Sequence, residues 1–299
     1  MKIILFGGSG FIGKNVMKKF PKNSIVPISL REDEWKNNLP SDTEVFINLI
    51  GKAHDHKGVA RYEDYYEANV ELTKQIFNEF FKSKATLLIH ISSIAALEEF
   101  ASLHPLNEED LNNPISHYGK TKREAELWLL RQSLPPEKKI IILRPPLVHG
   151  EGDKGNLELL YKFISKGIPY PLSAFQNSRS FLSIDNFIFF LKEIINNQDK
   201  LDSGIYHIAD DEVLSTKEIL EIIKRVENKK IIDLYIPPIV IKVLAKIGDF
   251  SPFPLNTKRL KKMTSNLEVS NQKIKSVLDI KKLPISAEKG IEITIKSFK

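Results

Sequence analysis

Tyr118 and Lys122 stand four residues apart in the run Tyr118-Gly119-Lys120-Thr121-Lys122, inside a stretch whose pattern predicts a helix over residues 116–132. Helical spacing puts the phenol and the ammonium on one face, about one turn apart. A phenol with a pKa near 10 is a poor acid or base at neutral pH, and an adjacent ammonium favours its phenolate. The pair therefore suits taking a proton from an alcohol or giving one to a ketone. Ser93 follows the apolar run of residues 86–91, where its hydroxyl can bond the same reacting oxygen.

Removing the proton of an alcohol hydroxyl oxidises nothing unless a carrier takes the hydride from its carbon, and the first thirteen residues, MKIILFGGSGFIG, supply a place for one. Residues 2–6 read as a buried parallel strand, and Phe11, Ile12, Val16 and Met17 recur at helical spacing. Between them lie Gly7, Gly8, Gly10 and Gly13. They fit G-x-G-x-x-G from Gly8 and G-x-x-G-x-x-G from Gly7, and both spacings stay open. A strand, glycine turn and helix bring backbone N–H groups and the positive helix end to a pyrophosphate. This assigns Gly7, Ser9, Gly10, Phe11, Ile12 and Gly13 to a dinucleotide.

Strands alternate with helices after that turn. Residues 25–30 (IVPISL) read as a second strand, with Pro27 best tolerated at an edge. Residues 31–43 are too short for another strand–helix unit and hold a short helix around Trp35. Residues 44–50 and 86–91 read as strands, with a helix over 61–81 between them. Residues 139–143 follow as another strand and 205–208 as the last. The alternation argues for an α/β fold, a Rossmann-type doubly wound parallel sheet with a smaller C-terminal substrate lobe. Its strand order would resemble 3-2-1-4-5-6-7, with the outermost third strand missing or reduced. The boundaries expected are 1–148 for the dinucleotide lobe, with 181–210 returning to it, and 149–180 with 211–299 for the substrate lobe. Residues 157–166 and 219–226 read as helices, the latter opened by a capping box from Ser215 to Glu218. Residues 236–247 (IPPIVIKVLAKI) read as a lysine-punctuated core helix rather than an interfacial one.

Composition narrows the class. The chain has 299 residues, no cysteine and a formal charge of +6. Disulfides and thiolate metal sites are excluded, which suits a cytoplasmic protein. No run is long enough for a membrane span. Lysines are spread along the chain, so nucleic acid is not the expected partner. The densest basic run, residues 258–263 (KRLKKM), reads as a solvated helix face or a diphosphate contact. His54-Asp55-His56 reads as a solvated loop and His90 as a core histidine, and no metal is expected. His149 suits a substrate-facing or a loop-packing role equally.

These motifs in this order resemble the extended short-chain dehydrogenase/reductase family, the NAD(P)-dependent sugar epimerases, dehydratases and reductases. The resemblance rests on GGSGFIG, NLIG at residues 48–51, ISS at 91–93, YGKTK at 118–122, RPPLVHG at 144–150 and RSFLSIDN at 179–186. It implies that Ser93, Tyr118 and Lys122 are catalytic, with Lys122 also holding the nicotinamide ribose. It places Leu49, Ile50, Gly51, Asn69, Pro145 and Val148 by the cofactor. Asn156 and Arg179 would contact the diphosphate of a nucleotide sugar, UDP-linked by the likeness to bacterial UDP-N-acetyl-hexosamine 4-epimerases and 4-ketoreductases. Ile94-Ala95 replace the acid pair that dehydratases of the family carry, so dehydration is not expected. A homodimer would pair residues 61–81 with 116–132.

Cofactor choice bears on the reaction. Ser29 and Arg31 close the second strand, where a hydroxyl and a guanidinium suit the 2′-phosphate of NADP. Glu32, Asp33 and Glu34 could instead hold the ribose hydroxyl of NAD. The basic position places reduction of a UDP-4-keto-hexosamine in surface-polysaccharide synthesis first, with an NAD-dependent 4-epimerase as the alternative. A non-catalytic dinucleotide-binding module is the third reading.

Overall fold

The β-branched runs between turn residues become buried parallel strands, as their continuous apolarity requires. The structure, a computed structural model, describes residues 1–32, 34–53, 59–167, 175–228, 236–250 and 256–299. Its strands are β1 (Ile3–Phe6), β2 (Ile25–Ile28), β3 (Val45–Asn48), β4 (Leu87–Ile91), β5 (Lys139–Arg144), β6 (Leu147–His149), β7 (Phe181–Ser183) and β8 (Gly204–His207). Six form one sheet in the order β2-β1-β3-β4-β5-β8, every pair parallel. This is the expected order with its third position absent. Among the described residues of 31–43 there is only the 3₁₀ turn Trp35–Asn38. Its Trp35 meets Phe6 edge-on, with ring centroids 5.7 Å apart. Pro27 is tolerated because β2 is an edge strand, paired only with β1.

Helices α1 (Phe11–Lys19), α2 (Tyr62–Tyr66), α3 (Leu72–Lys82), α4 (His117–Leu130), α5 (Asn156–Ser165) and α6 (Ile184–Asn196) occupy the first two thirds of the chain. Alternate strand residues feed two cores. Ile3, Leu5, Val45, Ile47, Leu87 and Ile89 pack with Val16 of α1 and Phe187, Phe190 and Ile194 of α6. Ile4, Phe6, Phe46 and Leu88 pack with Ile76, Phe77 and Phe80 of α3 and Leu129 of α4. Each such large side chain stabilises the fold by roughly 1.5–3 kcal/mol on full burial.

A third cluster lies apart from the sheet. It joins Leu157 and Tyr161 of α5 to α7 (Thr216–Glu227), α8 (Pro238–Gly248), α9 (Thr257–Thr264) and α11 (Ala287–Lys296). A short α10 (Gln272–Leu278) instead packs into the first core. The acidic run after β8 ties these parts together. Asp210 accepts from the Ser183 N–H and the Asn186 amide, Asp211 from the Leu283 N–H, and Glu212 from the Ala287 N–H.

Three features differ from the sequence expectation. The helix over 61–81 is interrupted by a π-helical turn, Glu67–Glu71, which a 3.6-residue period cannot reveal. Residues 147–149 and 181–183 pair as a two-stranded parallel sheet that was not foreseen. Finally, α8 is not a core helix. Only Ile241, Ala245 and Gly248 are buried, while Ile239, Val240, Val243, Leu244 and Ile247 face outward.

Candidate active site

β1 runs directly into Gly7, whose φ of +83° is a conformation that favours glycine. The Gly10 N–H donates to the Gly7 carbonyl at 3.1 Å, closing the turn. A Cβ on Gly13 would collide with the Gly7 carbonyl and stand 2.7 Å from Gly8 Cα. The geometry thus selects the Gly7-x-x-Gly10-x-x-Gly13 spacing; Gly8 has no positive φ. Gly10 caps α1 with no side-chain hydrogen bond, and no acid lies in the first turn. Uncapped helix N–H groups and the positive dipole end suit an anion. Ser9 and Gly10 are exposed, with Phe11 and Ile12 half-buried beside them. The cradle fits a dinucleotide pyrophosphate.

The same turn abuts the end of β3. A Cβ on Gly7 would lie 3.1 Å from the Leu49 carbonyl carbon, and the Leu49 N–H donates to the Phe6 carbonyl at 3.1 Å. Beyond it, the buried Lys122 Nζ donates to the carbonyls of Ile91 at 2.8 Å and Ile50 at 3.3 Å. A Cβ on Gly51 would sit 2.7 Å from that Nζ, so Gly51 makes room for the ammonium. Lys122 therefore spans the C-terminal ends of β3 and β4, the edge where open α/β sheets take ligands. Burial lowers its pKa to about 8, against the opposing pull of Glu126.

Tyr118 and Ser93 are brought close enough for the Ser93 side chain to act on the phenol. Ser93 also caps the 3₁₀ turn Ile94–Ala96 by accepting from the Ala95 N–H at 3.2 Å. Burial raises the Tyr118 pKa, with Glu99 and Glu126 adding to the rise and the Ser93 side chain opposing it. The sequence expectation that Lys122 brings the phenol down is not what governs this arrangement, because the ammonium is held by backbone carbonyls. Tyr118 is a phenol at rest.

The positioning of this helix rests on residues that sequence reasoning passed over. A Cβ on Gly119 would strike the Ala95 carbonyl and stand 2.6 Å from Glu99 Oε1, so glycine lets α4 lie against the turn after Ser93. Glu99 accepts from the Ile115 and Ser116 N–H groups at the start of α4. Glu126 accepts from Ser92 Oγ at 2.5 Å and from the Arg144 guanidinium at 2.8 and 2.6 Å. The signal was present, since Tyr118, Lys122 and Glu126 recur at four-residue spacing. Arg144 is thus a buried clamp on α4, and Pro145 accepts from the Ile94 N–H through its carbonyl. Val148 is half-buried in β6.

Asn69 is buried in the π-helical turn. Its Oδ1 accepts from the Lys52 N–H at 2.8 Å, and its amide donates to Thr121 Oγ1 at 2.9 Å and the Lys52 carbonyl at 3.3 Å. Both amide hydrogens are engaged, so Asn69 ties the loop after β3 to α4. That bonding is a positioning arrangement.

The remaining candidates lie further out. Ser29 and Arg31 are exposed beyond β2, where the Arg31 N–H donates to Ser29 Oγ at 3.4 Å. Glu34 accepts from Asn37 at 3.1 Å and Glu32 from Asn38 at 3.5 Å, and Asp33 lies outside the described residues. Asn156 is exposed at the start of α5. Arg179 is half-buried, with its backbone paired to Leu214 and its Nη1 donating to the Ser265 carbonyl at 3.0 Å. Burial lowers its pKa to about 10, which leaves it cationic at neutral pH. His149 is buried against Thr294 Oγ1 at 2.8 Å, the packing role rather than the substrate-facing one. His90 is buried and bonds Asn48 through Nδ1 at 3.1 Å. The 54–56 motif lies outside the described residues, and among those described no group of three or more His, Asp or Glu is placed to hold a metal.

Comparison with known proteins bears on this geometry. Residues 3–209 match the sequence model of the NAD dependent epimerase/dehydratase family. A UDP-glucose 4-epimerase of Vibrio cholerae is 27% identical, the match covering 99% of this chain and 95% of that protein. An N-acetyl-alpha-D-glucosaminyl-diphospho-ditrans,octacis-undecaprenol 4-epimerase of Escherichia coli O157:H7 is 24% identical, over 98% of this chain and 94% of that one. The crystal structure of a UDP-glucuronic acid 4-epimerase from Bacillus cereus, in complex with UDP-glucuronic acid and NAD, superposes with a TM-score of 0.75 at 19% identity, covering 100% of this chain and 99% of that one.

Proposed function

We propose, starting from the fact that the chain belongs to the NAD dependent epimerase/dehydratase family, that it is an NAD(P)-dependent 4-epimerase of a diphosphate-linked hexose, with a UDP-hexose as the first substrate to try. The observation that carries this is Lys122 spanning the ends of β3 and β4 on the helix that also presents Tyr118 toward Ser93, next to the glycine cradle. Whole-length similarity to two proteins named as 4-epimerases supports the choice of reaction. Their names differ in what carries the diphosphate and share the C4 position. The reductase ranked first on the sequence therefore gives way to the epimerase.

The chemistry asks little more of the protein than these side chains. A bound nicotinamide would supply reversible hydride exchange at C4, so no external reductant would be consumed. Tyr118, once its own phenol proton has been lost to solvent, takes the proton of the C4 hydroxyl and returns it, and Ser93 bonds that oxygen during the transfer. Lys122 holds the ribose and is cationic at neutral pH. Asn156 and Arg179 grip the diphosphate, for which a guanidinium fork is suited. Residues 149–180 and 211–299 form the substrate lobe, and 1–148 with 181–210 the cofactor lobe. Ile94 is buried where a dehydratase would need an acid, which opposes elimination. A homodimer through residues 61–81 and 116–132 fits the exposed Phe81 and Leu130 on those helices.

One experiment separates the readings. The purified protein is denatured to release any nucleotide, and the native protein is incubated with UDP-glucose or UDP-GlcNAc without added cofactor. Bound NAD and appearance of the C4 epimer by NMR are expected. A reductase, for which the exposed Arg31 argues, would instead show NADPH oxidation on a UDP-4-keto-hexosamine and no turnover of the parent sugar.

A further inference from the structure

Among the described residues, helix α8 carries an exposed apolar surface. Ile241 and Ala245 face the third cluster, so one side of the helix is fixed to the body of the protein. On the other side Ile239 is 67%, Val240 45%, Val243 50% and Ile247 58% exposed, and Phe250 just beyond the helix is 93% exposed. Contiguous aliphatic surface of this kind is unusual on a soluble monomer and marks a docking face. Scattered apolar residues need no explanation; five on one helix face and its end do.

The charges around this face say what it fits. Lys242 and Lys246 are exposed and lie along one flank of the apolar arc, where long stems can lie on apolar surface with their ammonium groups outward. The adjoining α9 packs its Leu260 in the same cluster as Ile241 and Ala245. Helix α8 itself carries no acid, and the acid that follows it is Asp249. That acid is engaged, accepting from both the N–H and the hydroxyl of Thr257. A second copy of this surface would bring lysine against lysine. An anionic bilayer offers hydrocarbon for the aliphatic arc and phosphates for the lysines.

We propose that α8, with α9 beside it, is an in-plane membrane-docking element that seats the protein on anionic lipid surfaces. The helix has eleven residues and cannot span a bilayer; it lies along the interface with its exposed arc in the headgroup boundary. This inference stands independently of the reaction proposed above.

Vesicle cosedimentation of the full chain tests it. Binding to phosphatidylcholine–phosphatidylglycerol vesicles is expected, weakened about tenfold on pure phosphatidylcholine or in molar salt. The double variant Ile239→Glu, Val243→Glu should lose binding while keeping the wild-type circular dichroism. A second variant, Lys242→Glu with Lys246→Glu, leaves the apolar arc intact and should lose only the preference for anionic vesicles. Wild-type protein that stays in the supernatant with both vesicle types overturns the proposal. So does vesicle binding that neither variant reduces. Analytical ultracentrifugation that finds a dimer dissolved by Ile239→Glu, Val243→Glu, with no vesicle binding by the wild type, assigns the face to self-association instead.

Discussion

Tyr118 holds its proton firmly at rest, because burial and the nearby Glu99 and Glu126 raise its pKa while only Ser93 pulls the other way. In the proposed reaction, turnover depends on that oxygen. Tyr118→Phe should lower kcat by about 10²–10⁴-fold while the copurifying nucleotide content stays unchanged. A variant within a few-fold of wild type would remove Tyr118 from the chemistry. Lys122 gives a separate pH signature. With a pKa near 8 set by burial, it is an ammonium below that pH and neutral above it. Cofactor retention and kcat should both fall as pH rises through about 8. Lys122→Arg keeps its charge across that range, so the alkaline fall should vanish from its profile even if its overall activity is low. Arg179 is tested by a contrast of binding constants. Arg179→Ala should raise KM for a UDP-sugar far more than it weakens NAD(P) binding, and the reverse would move Arg179 to the cofactor.

At the scale of elements, the site depends on how closely α4 approaches the 3₁₀ turn after β4. Gly119→Ala would press a methyl into the Ala95 carbonyl and to 2.6 Å from Glu99 Oε1, neither of which is a flexible tip free to swing away. The helix must move, taking Tyr118 from Ser93. Urea unfolding should show a loss of about 1–3 kcal/mol, and kcat should fall with it. Normal stability and kcat would show that α4 has slack here. Nothing in the spacing of residues 118–122 announces this, because a glycine within a helix pattern reads as a mere weakness. The strands were legible for the opposite reason. Runs such as IILF at residues 3–6 are buried on both faces and need no tertiary information to be recognised. The sheet order followed from the short 31–43 connection. The Ser93, Tyr118 and Lys122 grouping was also legible, since one strand end and one helix turn contain it. The π-helical turn was not, although Asn69 inside it holds the loop after β3 to Thr121. The β6–β7 pair was hidden because three-residue strands are shorter than any alternation that could reveal them. For α8 the sequence showed an apolar helix but not which side the body of the protein would cover.

At the scale of the whole molecule, buried titratable groups set a limit on stability that the exposed ion pairs do not. Burial lowers the pKa of His149 and His207 to about 3 and that of His90 well below 6.5. All three are neutral in the fold and titrate near 6.5 once exposed. Their folded pKa values are depressed, so their stabilising contribution is present above 6.5 and is lost as pH falls toward the folded values. Asp210 works against them. Its pKa is raised to about 7 by burial, so the unfolded chain releases that proton first. Its contribution is present below pH 3.8 and lost as pH rises through about 7. Between pH 6.5 and about 4 the unfolded chain thus gains the protons of His149 and His207 for one carboxyl proton already held in the fold, and His90 adds to the gain. Stability should therefore fall as the solution is acidified through this window. The slope identifies the groups. His149→Asn, which keeps a polar contact for Thr294, should make urea-derived stability less steep in pH over this window. Asp210→Asn should make it steeper by removing the opposing proton. A profile flat from pH 7 to 4, or slopes unaltered by both substitutions, would mean that these side chains reach solvent before the fold is lost.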